Sequence, residues 1–256
     1  MARNQNRHRR LERTITHIQH QWGTEAIRKG SRKTRVPPHV PTGFAALDKA
    51  LGIGGIPRGR ITILSGAPTS GKVTLAARVL ANVQKRGRPV AYVDVMHTCD
   101  ADYLERCGVR LQELLVVRPE NGRQALELTL ALAKRSELAA ILFDHWGALG
   151  KSRQERRFAS GVLDHLVGRL AKTRALFLVL DDPLPLWQRL FPFADRTLAH
   201  YATLHLALSR EYWLLSGPDV RGYRAQVSIL KNKFGPAHKR VPIEIHFNGT
   251  VRGDGI

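Results

Sequence analysis

The chain is short of cysteine, of acidic residues and of long apolar runs, and each shortage excludes a class of protein. Cys99 and Cys107 are the only cysteines. Two thiols cannot build a disulfide framework, and their spacing matches no zinc-binding pattern. They read as reduced, half-buried thiols of a cytosolic protein. No stretch approaches the roughly 18 uncharged apolar residues that a membrane-spanning helix needs. Arg3, Arg7, Arg9 and Arg10 open the chain, but no apolar segment follows them, so a secretory signal is not expected. Acids number 21 against 41 Lys and Arg, a formal net charge of +20. Such an excess opposes compaction by self-repulsion and points to a polyanionic partner. Nucleic acid fits better than a membrane surface, because no strongly amphipathic basic helix ending in aromatics is visible. A merely solvated basic surface is the alternative.

What is present is enough for a full core: 256 residues, 43% hydrophobic and 24% charged, which is ordinary for a globular protein. Residues 1–36 differ in composition from the rest, with ten Lys or Arg against Glu12 and Glu25. Within them Leu11, Ile15, Ile18 and Trp22 recur at helical spacing, so a short helix flanked by basic coil is expected. Pro37, Pro38 and Pro41 break the chain and mark a linker. The expected division is an arm, 1–40, and a core, 41–256. In the core, apolar strands at Ile61–Ser65, Pro89–Val95, Leu114–Val117, Ala139–Asp144 and Ala175–Leu180 alternate with helices. Helices are expected after Gly71, over about Gly122–Arg135 and over about Arg153–Lys172. Continuous apolar strands between helices predict an α/β fold, a mostly parallel sheet covered on both faces. Beyond residue 200 the pattern turns to strands, at Ala202–Leu208, Tyr223–Leu230 and Val241–Phe247.

Gly66-Ala67-Pro68-Thr69-Ser70-Gly71-Lys72 carries the chemistry. The glycines let the backbone wrap closely round a phosphate, and the next helix aims its N-terminal amides and dipole at the anion. Lys72 would reach the outer phosphates. The spacing alone is common by chance, but here it follows a strand and opens a helix, as a Walker A loop requires. One position departs from it. A Ser or Thr should follow the lysine and hold Mg²⁺; Val73 cannot ligate a metal. Thr74 lies about 100° further round the helix, where it would touch a phosphate without replacing that ligand. Asp144, ending its strand, is the candidate magnesium carboxylate, acting through water; a strand-end or capping aspartate is the alternative. His145 and Trp146 read as packing at the strand end.

These segments, in this order, resemble the bacterial RecA recombinase family from about residue 11 to 251. The similarity is carried by Pro41–Arg60, by Gly66–Thr74, by Tyr92–His97 with Asp100 and Tyr103, and by Glu120–Ala133 and Ile141–Leu149. It continues in the late Lys231-Asn-Lys233-Phe-Gly-Pro. The arm segment His17–Gly30 is similar to the family's N-terminal helix and oligomerisation strand. The resemblance implies a RecA-like P-loop core, ATP or ADP with Mg²⁺ as cofactors, and a place in DNA repair, recombination and the SOS response. It implies adenine contacts by Asp100 and Tyr103 and cross-subunit contacts by Lys231 and Lys233. The family's small C-terminal domain finds no counterpart after the core.

The departures are as informative. The family's water-activating glutamate falls at Met96, and a thioether is no general base. Its magnesium threonine falls at Val73. Its Asn-Gln pair at a strand end, whose Gln senses the outer phosphate, falls at Asp181 and Asp182, two acids expected to repel a triphosphate. For DNA, the candidates are Lys151, Arg153, Arg156 and Arg157 at a shortened first loop. Arg189 and Arg196 follow, interleaved with Trp187, Phe191 and Phe193 in a second loop. Packing of the aromatics, or a solvated helix start for the basic cluster, is the plainer alternative. Three functions follow from the sequence. One is a weakly or non-hydrolysing RecA-like repair protein that binds DNA, expected single-stranded. It would act by self-association or on a RecA filament, and would be similar to accessory factors of translesion polymerase complexes. The second is an active DNA-dependent ATPase and strand-exchange recombinase. The third is a protein-binding regulator with a vestigial nucleotide pocket.

Overall fold

The computed structural model describes residues 2–24, 26–27, 36–149, 152–182, 197–247 and 251–252. The chain divides into two compact units, Met1–Val36 and Pro37–Ile256.

In the first unit α1 runs from Ala2 to Trp22. It is longer than the sequence pattern suggested and takes in the first cluster of arginines. No Pro or Gly interrupts these residues, and Arg, Gln and Leu are good helix formers, so nothing stops the helix before Gly23. Gly23, at φ 90, ends it and donates its N–H to the Gln19 carbonyl at 2.9 Å. Ile15 and Ile18 are half-buried, while Leu11 and Trp22 are exposed. The described residues after α1, up to Ile27, form no strand; the rest of the expected oligomerisation strand lies outside the described residues.

Among its described residues the second unit is built on a sheet of nine strands. The parallel part comprises β3 (Ile61–Gly66), β4 (Val90–Asp94), β5 (Leu114–Val117), β6 (Ala140–Asp144), β7 (Leu176–Asp181) and the start of β8 (Leu204–Ser216). β9 (Asp219–Asn232), β10 (Arg240–Phe247) and β11 (Val251–Arg252) follow in turn, each antiparallel to the one before, so the sheet order is β11-β10-β9-β8-β3-β7-β6-β4-β5. A small antiparallel pair, β1 (His39–Val40) and β2 (Ile56–Pro57), precedes the sheet. The helices among the described residues are α2 (Ala45–Leu51), α3 (Lys72–Gln84), α4 (Ala101–Arg106), α5 (Gly122–Ala133), α6 (Arg153–Thr173) and α7 (Thr197–Tyr201).

Each face of the sheet is covered by its own apolar layer. On one side Leu75, Val79, Leu80 and Val83 of α3 pack with Leu64, Tyr92, Leu142 and Leu178. On the other Leu163, Leu166 and Leu170 of α6 and Ala125 and Leu126 of α5 pack with Ile63, Val93, Ile141, Phe143 and Phe177. Central strands buried on both faces explain the unbroken apolar runs in the sequence. The fold is α/β with a mostly parallel, helix-covered sheet, as the pattern predicted.

The late strands differ from expectation. β8 and β9 run to 13 and 14 residues and meet in a turn at Gly217, forming a long hairpin. Residues 209–222 carry no clean alternation because much of this hairpin is exposed on both faces, Leu215 at 65%. A signal that depends on one-sided burial is then lost.

Phe143 is fully buried in the second layer and lies 5.3 Å, ring to ring, from Trp146. Phe143→Ala is expected to cost about 3–5 kcal/mol of stability, read from urea unfolding. A loss under ~1 kcal/mol would mean that this layer is loosely packed.

Candidate functional site: a phosphate loop with an internal counterion

The site lies at the carboxyl ends of the parallel strands, where ligands bind in open α/β sheets. β3 ends at Gly66, and the loop returns through Gly71, at φ 94, into α3. A side chain at Gly66 would run into Ser70 and meet the Leu208 carbonyl at 2.6 Å, so only glycine fits there. A Cβ at Gly71 would lie 3.0 Å from the Tyr223 hydroxyl. Ala67, Pro68 and Thr69 form an exposed crown, while Ser70, Gly71, Lys72 and Thr74 are buried. Ser70 Oγ is buried and has no hydrogen-bond partner among the described residues. An unsatisfied hydroxyl beside the amides of a helix start fits an anion seated in the loop.

Lys72 already has an anion. Its Nζ donates to the Gly66 carbonyl at 2.7 Å and makes a close ion pair with Asp182 Oδ1. Asp182 Oδ2 lies 2.8 Å from His145 Nε2, and His145 Nδ1 lies 3.5 Å from Asp144 Oδ1. Tyr92 donates its hydroxyl to Asp144 Oδ2 at 2.8 Å, and Thr98 Oγ1 reaches the same oxygen at 3.5 Å. Lys72, Asp182, His145, Asp144 and Tyr92 thus form one connected polar network. Asp94, opposite Asp144 in the β4–β6 register, is fully buried. It accepts from the amides of Thr98 and Cys99 at 2.8 and 3.2 Å, with Arg118 Nε at 3.5 Å.

Several residues hold roles that the sequence did not disclose. His145 is not simple packing: at φ 63 it turns the chain immediately after Asp144 and bridges two carboxylates. Trp146 does pack, buried against Phe143. Asp182 is paired with Lys72 rather than standing as a bare repulsive charge. The sequence singles out Tyr92 for no role of its own, and no short-range pattern marks a strand tyrosine as a carboxylate's partner.

The remaining candidates are distributed as follows. Asp100 caps α4, accepting from the Tyr103 amide at 2.9 Å. The Thr74 hydroxyl is hydrogen-bonded to the Tyr103 hydroxyl and lies 3.2 Å from that of Tyr223, beneath the loop. Val73 is half-buried against the first apolar layer. Met96 is 48% exposed, two residues past the end of β4. Lys231 Nζ donates to the carbonyls of Ala199 and His200, at 2.6 and 3.3 Å, at the end of α7, and Lys233 is exposed. Arg156 and Arg157 lie in the first turns of α6, which Ser152 and Glu155 close with a capping box. Arg153 begins that helix. Lys151, Arg189 and Arg196, with Trp187, Phe191 and Phe193, lie outside the described residues.

The cradle fits a phosphate, and the donor set for magnesium is thin. Val73 offers no oxygen, and both Asp144 oxygens already face Tyr92 or His145. Among the described residues no group of three or more His, Cys, Asp or Glu is arranged to hold a metal ion.

The mostly parallel, helix-covered sheet defines an α/β core of RecA-like fold. The RecA N-terminal domain family matches residues 9–175, and the chain belongs to the RecA family. It is 32% identical over 272 residues to protein RecA of Herpetosiphon aurantiacus, covering all of this chain and 76% of that protein. Protein RecA of Streptomyces coelicolor is 33% identical over 270 residues, covering 97% of this chain and 71% of that one. The crystal structure of the RadB recombinase has the same fold, with a TM-score of 0.66 and 21% identity, over 83% of this chain and 98% of that one.

Asp181, beside Asp182, is half-buried, and burial pushes its carboxyl up to about 6. Hydrogen bonds from the Asp182 and Gly147 amides oppose the shift, as does Lys72, while the Asp182 charge adds to it. An acid raised above its unfolded value binds protons more tightly when folded. Its contribution is therefore present at low pH and lost as pH rises through about 6. Asp181→Asn should raise the melting temperature at pH 7.5 and give little or no gain near pH 4. An equal gain at both pH values would contradict the shift.

Proposed function

We propose that the chain is a RecA-like DNA repair and recombination protein that binds DNA and adenine nucleotide and hydrolyses the nucleotide weakly or not at all. The observation that carries this reading is the Lys72–Asp182 pair. The lysine that should meet the outer phosphates is held by an internal carboxylate, so nucleotide binds only by displacing it. Val73 supplies no magnesium ligand and Met96 no general base. Loss of a base alone costs about 10²- to 10⁴-fold in rate.

Family membership supports the repair and recombination reading, since the relatives matched across the whole chain are RecA proteins. The net charge of +20 and the basic residues of α1 support DNA as the polyanion. In this reading the arm, 1–40, is the element that joins the chain to a second copy or to a RecA filament. A translesion polymerase complex is the wider assembly in which a weakly hydrolysing filament partner would act. No helix among the described residues is long and apolar enough to cross a membrane.

Turnover of ATP with single-stranded DNA and Mg²⁺, beside Lys72→Ala, tests the nucleotide part. The expected rate is near background. Val73→Thr combined with Met96→Glu should restore more than the two single changes together, because such groups act as a unit. A robust DNA-stimulated rate that disappears in Lys72→Ala would instead make the chain an active recombinase. DNA affinity should fall about 10³- to 10⁵-fold between roughly 50 and 200 mM salt if some six to ten phosphates are contacted. Removing residues 1–36 should flatten that dependence.

A further inference from the structure

One cation at the loop is left unused by the network described above. Arg210 lies on β8 two residues beyond Leu208, which pairs with Gly66 at the start of the phosphate loop. The β8–β9 register shifts between Arg210 and Tyr212, and such a bulge re-aims the side chains beside it. The Arg210 guanidinium stacks over the Trp213 ring, 4.3 Å from its centroid. Its Nη1 donates to Thr69 Oγ1 at 3.3 Å, on the exposed crown of the loop.

The platform beneath it is itself tied to the loop. Trp213 meets Tyr223 edge-on at 5.8 Å between centroids. The Tyr223 hydroxyl in turn lies 3.2 Å from that of Thr74 in α3. Thr69 sits at φ 62, an uncommon conformation for a β-branched residue, which turns its backbone into the crown. Arg210 makes no ion pair with a carboxylate among the described residues. Its neighbour Arg224, by contrast, is matched by Glu211 and Glu244.

We propose that Arg210, seated on Trp213, is a phosphate-binding residue of this site that closes over the crown of the Gly66–Lys72 loop from the hairpin side. A guanidinium presents a rigid fork of donors suited to phosphate oxygens. Stacking on Trp213 fixes the fork before ligand arrives, so little side-chain entropy remains to be lost on binding. Lys72 is tied up by Asp182 on the β7 side of the loop. Arg210 approaches from the β8 side with its charge uncommitted, and it supplies the first cation that an incoming phosphate meets. The proposal rests on the nucleotide reading of the loop and goes beyond it by assigning a residue, and a phosphate subsite, on the opposite flank.

The test is calorimetric titration of the full chain with ATP and, separately, with inorganic triphosphate, which has phosphates but no base or ribose. The unmodified protein is compared with Arg210→Gln, Arg210→Lys and Lys72→Ala, and thermal melts confirm that each variant is folded. Arg210→Gln should weaken both ligands by about tenfold, near the low end for a hydrogen bond to a charged group because the site is partly exposed. Arg210→Lys should recover part of that loss, keeping the charge without the fork. The proposal is overturned alone if Lys72→Ala loses affinity but Arg210→Gln binds both ligands like the unmodified protein. It is also overturned if Arg210→Gln weakens ATP only, or if triphosphate fails to bind where ATP binds. If the unmodified chain binds neither ligand, the nucleotide reading and this proposal fall together.

Discussion

The Lys72–Asp182 ion pair is the interaction on which the state of the site depends. Lys72 is 7% exposed and carries its charge beneath the phosphate loop. A buried ammonium is tolerated only with a partner, because losing its hydration costs far more than any single hydrogen bond returns. In a phosphate-binding loop that partner is usually the ligand. Here the protein supplies it, from the residue immediately after β7. The charge of Lys72 is therefore matched within the protein, and in the proposed reading an incoming phosphate must compete with a tethered carboxylate as well as with water.

The sheet makes this possible. β3, β7, β6 and β4 are parallel neighbours, so their carboxyl ends deliver Gly66, Asp181 with Asp182, Asp144 and Asp94 to one edge. Four carboxylates in one place repel one another unless cations and donors separate them. Lys72 and His145 do so for Asp182, and Tyr92 and His145 for Asp144. Arg118 and two amides serve Asp94. His145 has its place because a left-handed backbone turns the chain just where β6 ends. In the proposed reading Met96 and Val73 remove the chemistry of turnover, and Asp182 supplies Lys72 with an anion from within the protein.

Much of the fold was legible because burial on both faces leaves continuous apolar runs. β3, β4, β5, β6 and β7 fall within a residue or so of where those runs predicted, and α3 follows Gly71 as expected. The β8–β9 hairpin was read short, because strands exposed on both sides lose the alternation that identifies them. The extent of α1 was missed because charge was read as coil, although arginine favours helix. In the site, the loop was legible from local spacing, whereas its occupancy was not. Lys72 and Asp182 are 110 positions apart, and Thr69 and Arg210 are 141 apart. Only the β3–β7 and β3–β8 pairings bring each pair together. Asp182 read as repulsive because its cation was credited entirely to a ligand.

The central claim is that an internal carboxylate holds the phosphate lysine, and it is tested most directly by removing that carboxylate's charge alone. Asp182→Asn keeps the shape and the hydrogen-bonding capacity toward His145 while freeing Lys72. Titrated with ADP at fixed salt, the variant should bind at least about tenfold more tightly than the unmodified chain, since a competing unit charge at contact distance is removed from a partly buried site. Equal or weaker ADP binding by Asp182→Asn would contradict the account, because Asp182 would then not be what keeps the loop from its ligand.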